Sequence, residues 1–169
     1  MLFNSFEFIF LFLPATLIFY YSARARLGIP AARAVLAVAS LVFYGYWSVW
    51  AVPLLVGSVA FNYLLGLWLN RTRQRWILAL GIVVNLAVLG FFKYANFFAA
   101  NWAAISGAHF TAYSIILPLG ISFFTFEQIT FLADVFRGRT TPGQPLTYGL
   151  FVGFFPHLIA GPILSLIHI

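Results

Sequence analysis

Three acidic residues, three histidines and no cysteine make up the chain's stock of groups able to move protons or hold a metal. The acid whose setting is most unusual is Glu127, which stands inside the nearly unbroken apolar stretch PLGISFFTFEQITFLADVFRG. An ionised carboxylate at the centre of a membrane helix costs about 2.5–3.5 kcal/mol on insertion scales unless it is paired, protonated or wetted. Thr130 and Asp134 follow at helical spacing on the same face, so a polar stripe is expected to run from mid-helix toward Arg137, with Asp134 and Arg137 at the i, i+3 separation of an ion pair. Such a stripe either lines a water- or substrate-filled path or ties neighbouring helices by buried hydrogen bonds. Spacing alone leaves both open.

His157 is the one histidine expected near a protein-lined cavity. It follows Pro156 and precedes Gly161 and Pro162. Backbone interrupted in this way must be covered by protein or face water. His109 falls in a loop and His168 beside the last residue. The spacing of the polar residues matches no zinc site, phosphate loop, nucleophile elbow or paired-carboxylate motif. Absence of cysteine excludes thiol catalysis and disulfides.

The elements that must position these groups are membrane helices. Hydrophobic residues make up 63% of the 169 and charged residues 7%, with a mean hydropathy of +1.00. That apolar share is collected in runs long enough to cross a bilayer, which defines an all-α polytopic membrane protein of about five to six segments whose partner is the lipid bilayer. Residues 3–21 supply a first span. Residues 34–69 carry no charge and would reach about 54 Å as one helix, so they must fold back. The turn is expected at residues 50–53, with Pro53 opening the next helix and Tyr44, Tyr46, Trp47 and Trp50 at the headgroups. Residues 76–92 and 118–136 give two further spans, and residues from 146 onward a broken sixth. Between them, residues 94–112 read either as a short helix lying in the interface or as a loop packed on its neighbours.

The basic residues decide orientation. In an alternating topology Arg24, Arg26, Arg33, Arg71, Arg73, Arg75, Arg137 and Arg139 fall on one side and Lys93 on the other, which makes the arginine side cytoplasmic and points the N-terminus outward. A pI near 10.1 therefore reflects topology, and nucleic acid is excluded as a partner because the cations are dispersed between apolar runs. Positive charge after the first apolar run, with Glu7 before it, is the reverse of a signal peptide. Ser58, Asn62 and Gly66 recur every four residues, as do Gly81 and Asn85, and these stripes are expected where helices approach closely.

LFNSFEFIFLFLP at the start, YGYW, FFKYANFF, the long motif around Glu127 and FFPHLIAGPI together resemble the membrane-bound O-acyltransferase family, most nearly its bacterial alginate O-acetylation branch. The resemblance covers residues 1–163, the N-terminal portion of one such domain in a larger helical bundle, and stops at 164–169, where a truncated or shifted frame is expected. It implies an enzyme of the bacterial inner membrane that takes an acyl group from a cytoplasmic, acyl-CoA-like donor to an extracytoplasmic polysaccharide hydroxyl, with extracytoplasmic acetyl-transfer proteins as partners and no permanently bound cofactor. It also implies that the catalytic histidine lies beyond residue 169, so this chain carries no catalytic residue of its own and is inactive alone. Glu127, Asp134 and His157 are then left as acyl-path or structural polar residues. His157 stands where the family pattern is expected to carry glutamine. A small ion-coupled transporter or a membrane assembly subunit is the alternative that an intramembrane acid allows, although transporters commonly show matched broken helices in two halves and here one segment is broken.

Overall fold

The computed structural model describes residues 4–106 and 117–156, and these form helices and no strand. A π-helical stretch, Glu7–Phe12, runs directly into α1 (Leu13–Leu27), followed by α2 (Ile29–Trp47), α3 (Ala51–Thr72), α4 (Arg75–Ser106), α5 (Ile121–Arg137) and α6 (Pro145–Gly153). Four helical stretches, Glu7–Leu27, Ile29–Trp47, Ala51–Thr72 and Arg75–Ser106, are long and apolar enough to cross a membrane. An all-α polytopic architecture is therefore what the chain adopts.

Local chemistry sets the element ends. Gly28 breaks the first hairpin at φ 87°, a left-handed value that an L side chain resists, and Pro30 then takes an early position of α2 where its missing N–H costs nothing. The fold-back in residues 34–69 falls at residues 48–50, close to the expected place, but Pro53 is the third residue of α3 rather than the first. Likewise α5 starts at Ile121 and not at Pro118, because Gly120 at φ 69° turns the chain into the helix. Trp47 and Trp50 flank the α2–α3 turn and are exposed, while Trp68 and Trp76 meet edge to face at the opposite end. Aromatic residues thus mark both ends of the bundle, as interfacial belts do.

The largest departure from the expected spans is α4. It does not stop near residue 92 but continues through the segment read as an interfacial helix or packed loop, reaching 32 residues at Ser106. That is about 48 Å of helix, more than a hydrocarbon core of about 30 Å requires. No glycine or proline interrupts residues 91–106. Asn101, a polar residue that could have ended the helix, instead donates its side-chain N–H to the Phe97 carbonyl one turn back, 2.8 Å away.

The core lies where α3, α4, α5 and α6 meet. Leu55, Leu69, Ile77, Phe124, Leu132, Val135 and Val152 fill it, with Tyr44 of α2 donating its hydroxyl to the Leu119 carbonyl at 3.0 Å. A smaller aromatic cluster of Phe8, Phe12, Phe43 and Phe155 fastens the N-terminal stretch to α2 and to the end of the described residues. Close approach in the core depends on two glycines. A Cβ on Gly66 would stand 2.6 Å from the Phe131 ring, and one on Gly81 would stand 2.5 Å from a Leu132 methyl. The four-residue stripes are where helices touch, as their spacing predicts.

Candidate functional site

The same stripes carry the polar interior. Asn62 on α3 and Asn85 on α4 are buried and exchange amide hydrogen bonds, Asn62 to Asn85 at 3.1 Å and Asn85 to Asn62 at 2.7 Å. Gln128 on α5 completes the junction. Its carbonyl oxygen accepts from the Ser58 hydroxyl at 3.1 Å and from the Asn62 amide. Asn62 also donates to the Ser58 carbonyl at 3.0 Å, and Asn85 to the Gly81 carbonyl at 2.7 Å. Four side chains therefore lock three helices at one level without any formal charge. Because Ser58 and Asn62 face Gln128 while Gly66 faces Phe131, α3 and α5 run in the same direction, and the Gly81 and Asn85 contacts set α4 against them.

Two donors of this interior have no hydrogen-bond partner among the described residues. They are the Gln128 amide nitrogen, wholly buried, and the Tyr148 hydroxyl on α6. Tyr148 lies against Phe131, ring centroids 4.3 Å apart, and against Tyr63 at 5.7 Å, with its hydroxyl within electrostatic reach of Glu127. Glu127 and Phe131 are four residues apart on one face of α5, so the tyrosine ring packs on the face that carries Glu127. Polar groups of this kind, aimed into an apolar interior, are able to hold an uncharged acceptor such as a carbonyl oxygen or a water.

The expected stripe is only partly one face. Glu127 is half-buried, Thr130 is exposed and Asp134 is buried. The structure does not gather them into a single channel wall. Asp134 pairs with Arg139, 3.8 Å away, rather than with Arg137. The reason is the end of α5. Gly138 takes φ 73°, the Arg139 N–H returns to the Asp134 carbonyl at 2.9 Å, and this Schellman turn brings Arg139 back over the helix while Arg137 points outward. Arg73 lies over the same turn, donating to the Phe136 carbonyl at 3.3 Å. His157, with Gly161 and Pro162, lies outside the described residues.

Sequence reasoning passed over Gln128 and Tyr148. A usable signal was present for the first, since a second polar residue directly beside Glu127 must face a different neighbour, 100° round the helix. For Tyr148 there was none beyond its place in the segment after the polar turn.

Arginines collect at one end. Arg24 and Arg26 close α1, Arg71 closes α3, Arg75 opens α4 and Arg137 closes α5. Arg33 of α2 reaches Thr147 of α6 at 3.4 Å, and Arg73 reaches the end of α5, so the three hairpin ends are joined.

Comparison with known proteins gives relatives along nearly the whole chain. A probable alginate O-acetylase of Pseudomonas aeruginosa is 45% identical over 175 residues, covering 97% of this chain and 33% of the relative. Another from Azotobacter vinelandii is 43% identical over 175 residues, 97% of this chain and 34% of the relative. A peptidoglycan O-acetyltransferase of Helicobacter pylori is 40% identical over 193 residues, 96% of this chain and 37% of the relative. No family model and no solved structure matches. The chain spans about a third of the length of the curated relatives it matches. With its all-α membrane architecture, this likeness is that of a membrane-bound O-acyltransferase-like fragment, similar along nearly its whole length to proteins named for O-acetylation of alginate and peptidoglycan.

Proposed function

We propose that this chain forms part of a membrane O-acetyltransferase that moves an acetyl group from a cytoplasmic, acyl-CoA-like thioester to a hydroxyl of an extracytoplasmic polysaccharide such as alginate. The observation that carries the reading is 40–45% identity, over nearly all of the chain, to proteins named for O-acetylation of alginate and peptidoglycan. The arginine-rich end supports a cytoplasmic assignment for that side, with the N-terminus outward, by the excess of basic residues in cytoplasmic loops.

On this reading the chemistry is attack of a sugar hydroxyl on a thioester carbonyl, with a proton passed to a general base, a transfer that contributes about 10²–10⁴ in rate. The resemblance implies a histidine for that base, and none of this chain's residues is assigned that role. Their part is positional. The uncharged Ser58–Asn62–Asn85–Gln128 junction fixes α3, α4 and α5 relative to one another, which holds Glu127 at a set depth. Glu127 and Asp134 border the path of the transferred group, and His157 follows them in the chain. Precise placement of reacting groups is worth several kcal/mol in such steps, so a rigid frame is itself a catalytic asset. Proteins that pass acetyl onward outside the membrane are the expected partners.

Two measurements test the proposal. Deleting the encoding gene lowers the alkali-labile acetate of the cell's secreted or wall polysaccharide, and restoring the gene recovers it. In the complemented strain, Glu127→Gln or Asp134→Asn lowers acetate more than it lowers the amount of protein in the membrane. Unchanged acetate after deletion refutes the function, whereas unchanged acetate per inserted molecule in both variants refutes only the path-lining role.

A further inference from the structure

Beneath the contact between Arg33 and Thr147 lies an apolar cavity of about 180 Å³, walled by α2, α3 and α6. Ala37, Gly149 and Gly153 line it with little side-chain bulk, and Leu55 and Val59 close its inner side. Leu41 and Val56, both exposed, stand at its rim, so it opens sideways to the surroundings of the bundle. Ser40 is the one polar side chain in the wall besides backbone, and its hydroxyl is already used, donating to the Leu36 carbonyl at 2.8 Å and accepting from the Phe155 N–H at 3.3 Å. Nothing in the slot therefore asks for a polar guest.

The mouth is different. Arg33 is one helical turn before Ala37, and its neighbour Thr147 directly follows Leu146 of the cavity wall. A guanidinium offers five N–H donors, of which Thr147 takes one at a long 3.4 Å. Seven further arginines stand at the same end of the bundle, and among the described residues the one carboxylate there, Asp134, is engaged with Arg139. A cationic head above a small-residue apolar slot that opens laterally matches an amphiphile with an anionic head and a hydrocarbon tail. At roughly 30 Å³ per methylene-sized unit, about the share of one water, the slot takes on the order of six carbons of a chain. That is the proximal part of an acyl tail, next to the glycerol and phosphate that anchor it.

We infer that the groove between α2, α3 and α6 is a binding site for an anionic phospholipid of the surrounding leaflet, with its phosphate at Arg33 and Thr147 and one acyl chain in the slot beside Gly149. The chemistry of recognition is a phosphate monoanion joined to a hydrocarbon tail, and the source is the bilayer itself. Basic residues near a membrane surface favour anionic headgroups by roughly fivefold each, and the slot adds the burial of several methylenes that the rest of the lipid-facing surface lacks.

The full chain, reconstituted in phosphatidylcholine vesicles containing about 10 mol% phosphatidylglycerol, the anionic headgroup that a basic surface favours, and then extracted into mild detergent, tests this by native mass spectrometry. About one phosphatidylglycerol per chain is expected to survive extraction. Arg33→Gln lowers that retention roughly fivefold, as does Gly149→Leu, which fills the slot without touching charge, since the space at Gly149 is free to 3.9 Å. Arg26→Gln, at the same end but away from the groove, leaves retention unchanged. Helix content by circular dichroism is matched across the variants, and Arg33→Lys serves where Arg33→Gln fails to insert, with retention between the two. Equal loss in Arg26→Gln and Arg33→Gln would make the effect one of bulk charge and overturn the site. Equal retention of phosphatidylcholine, or full retention in Gly149→Leu, would overturn it as well.

Discussion

Replacing Gln128 or Asn62 by leucine should have sharply unequal effects, although the two residues share a hydrogen bond and are both fully buried. Asn62→Leu removes four side-chain hydrogen bonds, one to Gln128, one to the Ser58 carbonyl and two with Asn85. At about 0.6 kcal/mol each in a membrane interior these sum to about 2.4 kcal/mol. The Asn85 carbonyl is then left buried without its donor, a further cost of about 1–3 kcal/mol. Gln128→Leu removes two bonds, about 1.2 kcal/mol on the same scale. It also removes the amide nitrogen that has no partner among the described residues, which returns about 1–3 kcal/mol. Asn62 keeps the Ser58 and Asn85 carbonyls as acceptors, and the Ser58 hydroxyl is free to turn to its own helix. Asn62→Leu is therefore expected to cost about 3–5 kcal/mol and Gln128→Leu to lie within about 2 kcal/mol of neutral. Unfolding in mixed micelles by titration with a denaturing detergent, followed by far-ultraviolet circular dichroism, resolves a gap of that size. If Gln128→Leu is as damaging as Asn62→Leu, Gln128 is a satisfied member of the junction and the account of its unused donor is wrong.

The remaining expectations rest on equally local geometry. Tyr148→Phe keeps the ring contact with Phe131 and deletes a buried hydroxyl that has no hydrogen-bond partner among the described residues, so thermal stability in micelles should hold or rise; a fall of several degrees would show that the hydroxyl is satisfied in the membrane. Gly81→Val drives a side chain into the Leu132 methyl at 2.5 Å and should cost about 1–3 kcal/mol or more, read as a lower detergent midpoint, while Gly90→Val, with open space around it, should cost far less. Asp134→Asn breaks a 3.8 Å pair whose arginine is largely exposed and should change stability by less than about 1 kcal/mol, an effect that shrinks further at high salt; a larger loss would mean that Asp134 has a partner more deeply placed than Arg139.

How far the sequence revealed this arrangement depended on whether a pattern repeats. Apolar runs bounded by arginines located the hairpins to within a few residues, because crossing a bilayer fixes their length. Stripes at four-residue spacing located the contact faces of α3 and α4, because glycine and asparagine both betray a close neighbour. Single residues were harder to read. Lys93, Asn96 and Asn101 suggest that the chain leaves the helix, yet α4 carries them to Ser106, since each polar side chain on a continuing helix is able to reach interfacial water or its own backbone. Arg137 was the natural partner of Asp134 by helical spacing, and the left-handed Gly138 handed that place to Arg139. Gln128 was hidden for a related reason. Its role depends on which of two adjacent polar residues points at α3, and a rotation of 100° per residue is too fine for hydropathy to resolve when α5 is apolar on several sides.

The distribution of polar groups by depth argues for a division of labour. At the arginine end the groups are charged and mostly exposed, where water makes charge cheap. At mid-membrane the α3–α4–α5 junction is built from amides and one hydroxyl, which hold helices together without the cost of about 2.5–3.5 kcal/mol that an ionised group incurs there. If bracing were the only demand on α5, Gln128 would meet it, and the adjacent position could be leucine. Glu127 is therefore not explained by the junction. It sits beside the frame, half-buried, on the α5 face whose Phe131 packs against Tyr148 of α6, at a depth the frame fixes. Glu127→Leu should leave the frame standing, with the Asn62 and Asn85 bonds intact and the detergent midpoint within about 1 kcal/mol of the parent. Should that substitution instead unfold the protein, Glu127 is one more strut, and its candidacy for a role in the transferred group's path ends there.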